Sequence, residues 1–282
     1  MIDLATIERR IGSLHAIRDI LSALRALSSV QYRRAEEGLE ARRAYEAALF
    51  EAMAAVPASL APARPPGRVL LLVLGAEQGF CGALVDRVVD AATARLRAPA
   101  HDVTRQPFAL GARTRDLLED RLGAQVPGLP LPGSLSSLDP VVDAIASAVE
   151  RRVEARTVDG VEALYARHLG PGRSEITAAR ILPAEISPPA GRPARLQEPA
   201  GRVLDRILFE WAYGELHRLV LEAQASEHGA RMTTTDGATR AVDDTLAELR
   251  VTHHQARQAQ VTAEVQEVVA AAEVMLEAEP DV

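Results

Sequence analysis

The stretch RVLLLVLGAEQGFCGALVDRVVDAATARLR, from Arg68 to Arg97, determines what kind of domain this chain contains. Its first part, RVLLLVL (Arg68–Leu74), is a short continuous apolar run, which is typical of a strand buried on both faces of a sheet. The glycine-containing segment GAEQGFCGA follows, and the pattern from about Leu84 to Arg97 is helical. The stretch therefore predicts one strand–turn–helix unit of an α/β layer.

Strand and helix patterns continue to alternate after this unit. They predict strands in VTRQPFAL, GVEALYARHL and SEITAARILP, the last two suited to a hairpin, helices in GARTRDLLEDRLG and from about Pro140 to Arg156, and a proline- and glycine-rich loop at Pro127–Gly133. Such alternation predicts a compact α/β domain over residues 68–183 with a largely parallel sheet.

The segment before this domain has a different texture. Residues 3 to about 55 contain no proline, and their apolar side chains recur at steps of three and four, which is coiled-coil spacing. These side chains are Leu4, Ile7, Ile11, Leu14, Ile17, Leu21, Leu24 and Leu27. The pattern predicts a coiled-coil helix over residues 1–56, about 80 Å long at 1.5 Å per residue. VPASLAPARPPG (Val56–Gly67) then ends it.

The segment after the domain is again helical in pattern. A proline-rich linker (Pro183–Gly201) precedes residues 202–282, whose helical pattern from about Arg202 to Glu277 predicts a helix of roughly 110 Å. Gly229 and Gly237, with three threonines between them, lower helix propensity, so one continuous helix and a break into two are both open. Helices this long are unstable alone, and two that leave the same domain pair naturally in antiparallel fashion.

The end of this last segment is unusual. HHQARQAQVTAEVQEVVAAAEVM (His253–Met275) has no proline or glycine, but its apolar stripe is thin and interrupted by arginine and glutamine. It is too polar for a core and too regular for a disordered tail. Because the C-terminal helix is the longer one, we expect this end to project past its partner helix.

Composition excludes several classes of function. The net charge of −7 and pI near 5.6 argue against a general nucleic-acid-binding protein. All 32 basic residues are arginine, which rules out a lysine Schiff base and a Walker-type phosphate loop. No apolar stretch is long enough to span a bilayer, and the N-terminus lacks a signal-peptide pattern. A single cysteine fits a reducing cytoplasm.

Two segments contain side chains capable of catalysis or metal binding. Cys81 lies between a predicted strand and helix, where a thiol can become nucleophilic, but no histidine stands in a partnering motif. Gly79 and Gly82 do not complete a dinucleotide fingerprint, so we interpret Gly79, Cys81 and Gly82 as a structural turn. His253 and His254 are adjacent on a predicted helix, so we expect their rings to diverge by about 100° rather than share a metal ion.

Four segments, in order along the whole chain, resemble the gamma subunit of F-type rotary ATP synthases. They are Ser13–Ser29 (SLHAIRDILSALRALSS), Glu77–Leu84 (EQGFCGAL), Ala225–Met232 (ASEHGARM) and Glu248–Ala272 (ELRVTHHQARQAQVTAEVQEVVAAA). Two departures stand out. His253-His254 replaces the family's tyrosine-asparagine pair, and an acidic extension, EVMLEAEPDV, follows Ala272.

The resemblance implies an α/β fold in which a long antiparallel coiled coil of the N- and C-terminal helices carries a Rossmann-like domain between them. It implies a non-catalytic rotor shaft without cofactor or metal, peripheral to the cytoplasmic face of a bacterial inner membrane. The implied partners are the alpha and beta subunits, an epsilon subunit and the membrane c-ring, with no nucleic acid.

By the same resemblance, residues 202–282 form the rotor axle with a short acidic tail. The implied contacts with the alpha/beta hexamer are Arg257, Gln258, Thr262, Arg33, Arg34 and Leu24. Two alternatives from other classes remain: a coiled-coil scaffold or adaptor without ATPase partners, and a cysteine-dependent enzyme built on the middle domain.

Overall fold

The computed structural model describes residues 4–56, 66–98, 103–184 and 195–277, with the backbone alone for residues 272–277. Its elements are α1 (Leu4–Ala54), β1 (Arg68–Leu74), α2 (Leu84–Arg97), β2 (Thr104–Leu110), α3 (Ala112–Leu122), β3 (Gly128–Leu129), a 3-10 turn (Leu135–Ser137), α4 (Leu138–Glu154), β4 (Gly160–Gly170), β5 (Arg173–Leu182) and α5 (Ala200–Glu277). Most of the predicted linker and the side chains of the acidic tail lie outside the described residues. Among the helices described, none is long and apolar enough to cross a membrane.

The strands form one sheet in the order β3-β2-β1-β4-β5. β1 pairs in parallel with β2 and β4, β3 pairs in parallel with β2, and β5 runs antiparallel to β4. β1 is central, and its residues Val69–Leu74 are all buried, which is why its sequence is continuously apolar. The prediction of a largely parallel sheet closed by a hairpin is confirmed.

Helices cover both faces of this sheet. α2 and α3 pack against the face that carries Leu71 and Val73 of β1. On the other face, α4 and the part of α5 around Leu219 pack against Leu70 and Leu72. α5, which follows the domain in sequence, therefore contributes to the core of the domain as well.

One predicted loop contains a strand. Pro127–Gly133 includes β3, whose Gly128 lies opposite Ala109 of β2. A Cβ at Gly128 would lie 2.4 Å from the carbonyl oxygen of Ala109, so only glycine allows this approach. A two-residue strand between prolines carries no apolar periodicity, which explains why the sequence predicts a loop.

The chain divides into two compact units, residues 25–234 and residues 1–24 together with 235–282. In the smaller unit α1 and α5 run antiparallel. Arg18 Nε lies 2.6 Å from Asp243 Oδ1, and His253 Nε2 lies 3.1 Å from Glu8 Oε1. In the larger unit they also run antiparallel, since Tyr45 donates to Glu210 at 3.2 Å and Leu39 packs on Leu221.

The apolar stripe predicted for α1 is correct at most positions and wrong at two. Ile7 and Leu21 are buried, but Ile17 and Leu27 are 46% and 59% exposed. A strict heptad step from Ile11 leads to Arg18 rather than Ile17, and the ion pair of Arg18 with Asp243 occupies that place. Apolar spacing of three or four alone does not decide which of two adjacent positions faces the partner helix.

α5 is continuous through Gly229–Gly237, so the alternative of a break is wrong. Gly229, Thr233 and Thr234 lie where the domain touches the helix. A Cβ at Gly229 would lie 3.1 Å from the backbone nitrogen of Gly172 in the β4–β5 turn and 3.3 Å from the Tyr32 ring. Thr234 lies beneath Gly82, and Thr235 is fully buried. Tertiary packing therefore overrides low propensity here.

Candidate functional site

The C-terminal part of α5 is exposed on every side. From Arg257 to Ala271 each side chain is exposed, and we call this stretch the free end. The described part of α1 starts at Leu4, and the bond between Glu8 and His253 is the last described side-chain bond from α1 toward this end. A helical stretch with no partner among the described residues must find stability from another surface.

Polar and apolar side chains are mixed on the free end. Val261, Val265 and Val268 are 51%, 56% and 69% exposed. Gln258, Thr262 and neighbouring small and amide side chains line a shallow groove along the helix. Such a surface offers weak contacts of several kinds and no deep apolar seam.

The predicted contact residues fall into two groups. Arg257, Gln258 and Thr262 lie together on the free end, and the Thr262 hydroxyl donates to the Gln258 carbonyl at 2.8 Å. Within the described part of the chain, Arg257 makes no side-chain hydrogen bond, so its guanidinium donors face solvent. On α1, Arg33 and Arg34 are exposed and Leu24 is half-buried.

The turn after β1 is tightly built. Phe80 and Gly82 have φ angles of 62° and 54°, and a Cβ at Gly82 would meet the Thr234 hydroxyl at 3.1 Å. The Cys81 thiol is buried, and its sulfur lies 3.3 Å from the carbonyl oxygens of both Gln78 and Gly79, either of which can accept its single proton. A Cβ at Gly79 would meet open space, so that glycine is not sterically required.

The environment of Cys81 does not favour a nucleophile. Burial raises the pKa of the Cys81 thiol to about 12, and the opposing effect of the Arg231 charge is smaller. A thiol with this pKa is almost wholly protonated at neutral pH, whereas nucleophilic cysteines have lowered values. The interpretation of a cysteine-dependent enzyme therefore has no support from this site.

The same turn is held by a charged pair that the sequence did not reveal. Glu227 of α5 is 2% exposed, and its carboxylate accepts from the backbone N–H groups of Glu77 at 2.9 Å and Gln78 at 3.1 Å. Arg231 forms a buried ion pair with Glu227 and donates to the carbonyl of Gly79 at 3.0 Å. We call Glu227, Arg231 and the turn residues Glu77–Gly79 the carboxylate joint.

A second carboxylate extends this joint across the sheet edge. Glu77 Oε2 accepts from the backbone N–H of Ala112, at the start of α3, and from that of Leu131, each at 2.9 Å. This is the carboxyl edge of parallel strands, where open α/β sheets bind phosphate groups at helix N-termini. Here Glu77 and Glu227, two carboxylates of the chain itself, accept the N–H groups that would otherwise hold an anion.

The joint also contains a buried histidine. His228 Nδ1 lies 3.1 Å from Arg231 Nη1, and its Nε2 lies 3.2 Å from Gln224 Oε1. Burial first, and the positive charge of Arg231 second, lower the pKa of His228 to about 4. His228 is therefore neutral at physiological pH and accepts from Arg231 through Nδ1.

The two adjacent histidines of α5 lie close together. The rings of His253 and His254 do not diverge as expected, because they meet edge to face with centroids 5.9 Å apart. The His253 ring is hydrogen-bonded to Glu8. Among the described residues, no group of three or more histidine, cysteine or carboxylate side chains is placed to hold a metal ion.

Comparisons with known sequences agree over nearly the full length of the chain. The sequence profile of the ATP synthase family matches residues 3–275. The ATP synthase gamma chain of Methylobacterium sp. (strain 4-46) is 32% identical, over 98% of this chain and 100% of that protein. The gamma chain of Pelotomaculum thermopropionicum is 28% identical, over 96% of this chain and 99% of that protein.

Solved structures share the fold. A chain of the Euglena gracilis mitochondrial ATP synthase (OSCP/F1/c-ring) aligns with a TM-score of 0.69 at 14% identity, covering 99% of this chain and 97% of that one. A chain of the Tetrahymena thermophila mitochondrial ATP synthase central stalk and c-ring aligns with a TM-score of 0.57 at 15% identity, covering 78% of this chain and 99% of that one. The expected α/β fold flanked by long N- and C-terminal helices is confirmed.

Proposed function

The chain belongs to the gamma-chain family of the ATP synthase, and on that premise we propose how it works as the rotor of the central stalk. It couples ion flow through a membrane ring to ATP synthesis or hydrolysis at an alpha/beta hexamer by turning inside that hexamer. It is a subunit of a complex with ATPase activity. The scaffold without ATPase partners is not favoured, because family relatives match over nearly the full chain.

The free end of α5 is the observation that carries this proposal. An axle inside a ring of alternating subunits needs a stiff rod whose surface adheres strongly at no single angle. Residues 257–271 form such a rod, with exposed valines that offer little area each and amide groups that exchange hydrogen bonds readily. A deep apolar seam would favour one angle and stop the rotation.

The subunit itself is non-catalytic in this proposal. Three features support this. The carboxyl edge of the sheet is filled by Glu77 and Glu227, the Cys81 thiol has a raised pKa, and the chain has no lysine to hold a phosphate. The nucleotide sites then belong to the alpha and beta partners, and this chain transmits their conformational changes as rotation.

The remaining partners follow from the same proposal. The solved relatives come from assemblies named F1/c-ring and central stalk/c-ring. We propose that the α/β domain contacts a c-ring and an epsilon subunit, and that the chain lies at the cytoplasmic face of a bacterial inner membrane, held there by the complex. Co-purification of alpha, beta, epsilon and ring subunits with this chain tests the set directly.

The contact residues are tested by replacing Arg257→Ala together with Gln258→Ala in the assembled complex. If Arg257 bonds a beta-subunit loop at one rotor angle, its loss removes a charge-assisted hydrogen bond of about 1.5–3 kcal/mol. We expect assembly to survive and the ATP hydrolysis rate to change by up to about 10- to 100-fold. The control is Arg151→Ala, an exposed arginine on α4 outside the free end.

An assembled double variant with a wild-type hydrolysis rate would show that Arg257 and Gln258 only solvate the helix. The proposals for Thr262, Leu24, Arg33 and Arg34 are tested by the same assay with single alanine replacements. A chain that assembles with no alpha or beta subunit would contradict the rotor function itself.

A further inference from the structure

One face of α5 is attached to the α/β layer by directional hydrogen bonds to its backbone. Four side chains within ten residues of helix make them: Glu222 accepts from His168 N–H at 2.6 Å, Ser226 donates to the Ala166 carbonyl at 2.7 Å, Glu227 accepts from Glu77 and Gln78 N–H, and Arg231 donates to the Gly79 carbonyl. Apolar contacts would resist separation of helix and sheet, but they would allow sliding. Bonds to fixed backbone groups set both the rotation of the helix about its own axis and its position along that axis relative to the sheet.

Glu227 and Arg231 are the most unusual members of this face. Their side chains are 2% and 4% exposed, so both charges lie away from water. A buried ion pair is a poor source of stability, because well-packed apolar residues of similar volume often do as well or better. The pair therefore gives the molecule something other than stability, and what it adds here is geometric. One carboxylate grips two consecutive N–H groups of the turn.

The grip extends beyond the turn. Glu77, whose N–H is held by Glu227, uses its own carboxylate to hold the N-terminus of α3 and the backbone of Leu131 after β3. A displacement of α5 would thus be resisted by β1, α3 and the β3 region together. Because hydrogen bonds weaken steeply with misalignment, even a small rotation of the helix would lose several of these bonds.

We propose that Glu227 and Arg231 are positioning residues that lock α5 against rotation on the α/β layer, so that torque passes between them without slip. The inference rests on the proposed rotor function and extends it. Torque applied to the layer by a ring enters α5 at the carboxylate joint. Torque generated at the free end leaves by the same joint.

The test separates the effect of the hydrogen bonds to the turn from the effect of filling the same volume with apolar side chains. Glu227→Leu with Arg231→Leu fills the joint with apolar side chains but forms no bond to the turn. The matched control is Glu215→Leu with Arg218→Leu, an ion pair on the same helix whose described bond to the layer goes to the Tyr165 hydroxyl and not to a backbone group. Each complex is reconstituted in vesicles, and ions pumped per ATP hydrolysed are measured against a rising opposing gradient.

We expect the Glu227/Arg231 variant to hydrolyse ATP at a rate close to wild type while its pumping ratio falls as the gradient rises. The control should keep the wild-type ratio. In Glu227→Gln, which keeps the shape but loses the charge, amide exchange at Glu77 and Gln78 should become about 10- to 100-fold faster, the equivalent of one charge-assisted hydrogen bond. Exchange is measured on the full chain and needs no assembly.

Three results would overturn the proposal. One is an assembled leucine pair that pumps like wild type under the highest gradient. Another is unchanged amide exchange in Glu227→Gln. The third is faster amide exchange in Glu227→Gln together with an intact pumping ratio in the complex that carries Glu227→Gln. If the wild-type chain supports no hydrolysis-driven pumping with its partners, the rotor function fails instead, while the exchange measurement still decides whether the grip exists.

Discussion

Two stretches of α5 have similar compositions and opposite environments. From Leu219 to Gly229 every residue is buried, although the stretch includes two glutamates, a glutamine, a serine and a histidine. From Arg257 to Ala271 every residue is exposed, although the stretch includes four valines. Neither contains proline, and both are regular helix. Helix propensity therefore does not predict which stretch packs on the α/β layer and which is exposed.

The difference lies in how the polar groups are satisfied. In the buried stretch Glu222, Ser226 and Glu227 each reach a backbone group of the α/β layer, as buried polar groups require. In the free end the described side-chain bonds, such as that from Gln260 to Glu264, stay on the helix. One stretch commits its polar groups to fixed partners, and the other keeps them available.

The largest effect expected from this comparison comes from Glu227→Ala. The change leaves Arg231 buried without its carboxylate and leaves the N–H groups of Glu77 and Gln78 without their acceptor, so unfolding should need about 3–5 kcal/mol less free energy. The control is Glu264→Ala on the free end, which should stay within about 0.5 kcal/mol of wild type. Urea unfolding of the full chain measures the free energy of unfolding of both variants. An equal loss in the two would contradict the distinction between the buried stretch and the free end.

A smaller effect should depend on pH. The pKa of His228 is about 4 in the folded chain and 6.5 is its ordinary value, so between these values the unfolded chain binds more protons. Stability from this residue is therefore complete above the ordinary pKa and is lost as pH falls toward 4. From pH 7 to pH 5 the loss should be about 2 kcal/mol. His228→Gln should remove it, as urea unfolding at both pH values will show. An equal pH dependence in both chains would contradict the buried neutral state.

The two glycines of α5 should respond with opposite signs. At Gly237 a Cβ meets open space, so Gly237→Ala should stabilise the chain by about 0.5–1 kcal/mol through helix propensity. At Gly229 it would press on the backbone of Gly172 and on the Tyr32 ring, which is held by its bond to Glu36. We expect Gly229→Ala to destabilise by about 1 kcal/mol instead. Thermal unfolding compares them, and two stabilised variants would mean the β4–β5 turn yields.

Much of the fold could be predicted from the sequence. β1 and α2 begin and end where predicted, because a continuous apolar run and a glycine-rich turn mark both boundaries. β3 could not be predicted, since two residues carry no period. The continuity of α5 through Gly229 also could not, because what stabilises that helix is a turn more than fifty residues earlier in sequence.

The candidate site divides in the same way. The free end was predictable, because a regular helix with a thin apolar stripe has no use in a core. The carboxylate joint was not, because a glutamate and an arginine four residues apart, as Glu227 and Arg231 are, usually form a surface ion pair. The one available signal was their setting: in ASEHGARM the charges stand among alanine, serine and glycine, which allow close approach of another backbone.

The smallest effect should come from Thr262→Ala on the free end. The Thr262 hydroxyl already donates to the Gln258 carbonyl, so it has no proton left for a partner and can only accept. Arg257 makes no such bond in the described chain and presents all its donors outward. Alanine is also the better helix former, so the isolated chain should be unchanged or stabilised by up to about 0.5 kcal/mol.

In the assembled complex, the ATP hydrolysis rate of Thr262→Ala should stay within about twofold of wild type, well below the change expected for Arg257→Ala with Gln258→Ala. A larger loss in Thr262→Ala than in that double variant would mean that this hydroxyl leaves its own helix to bond the surrounding subunits.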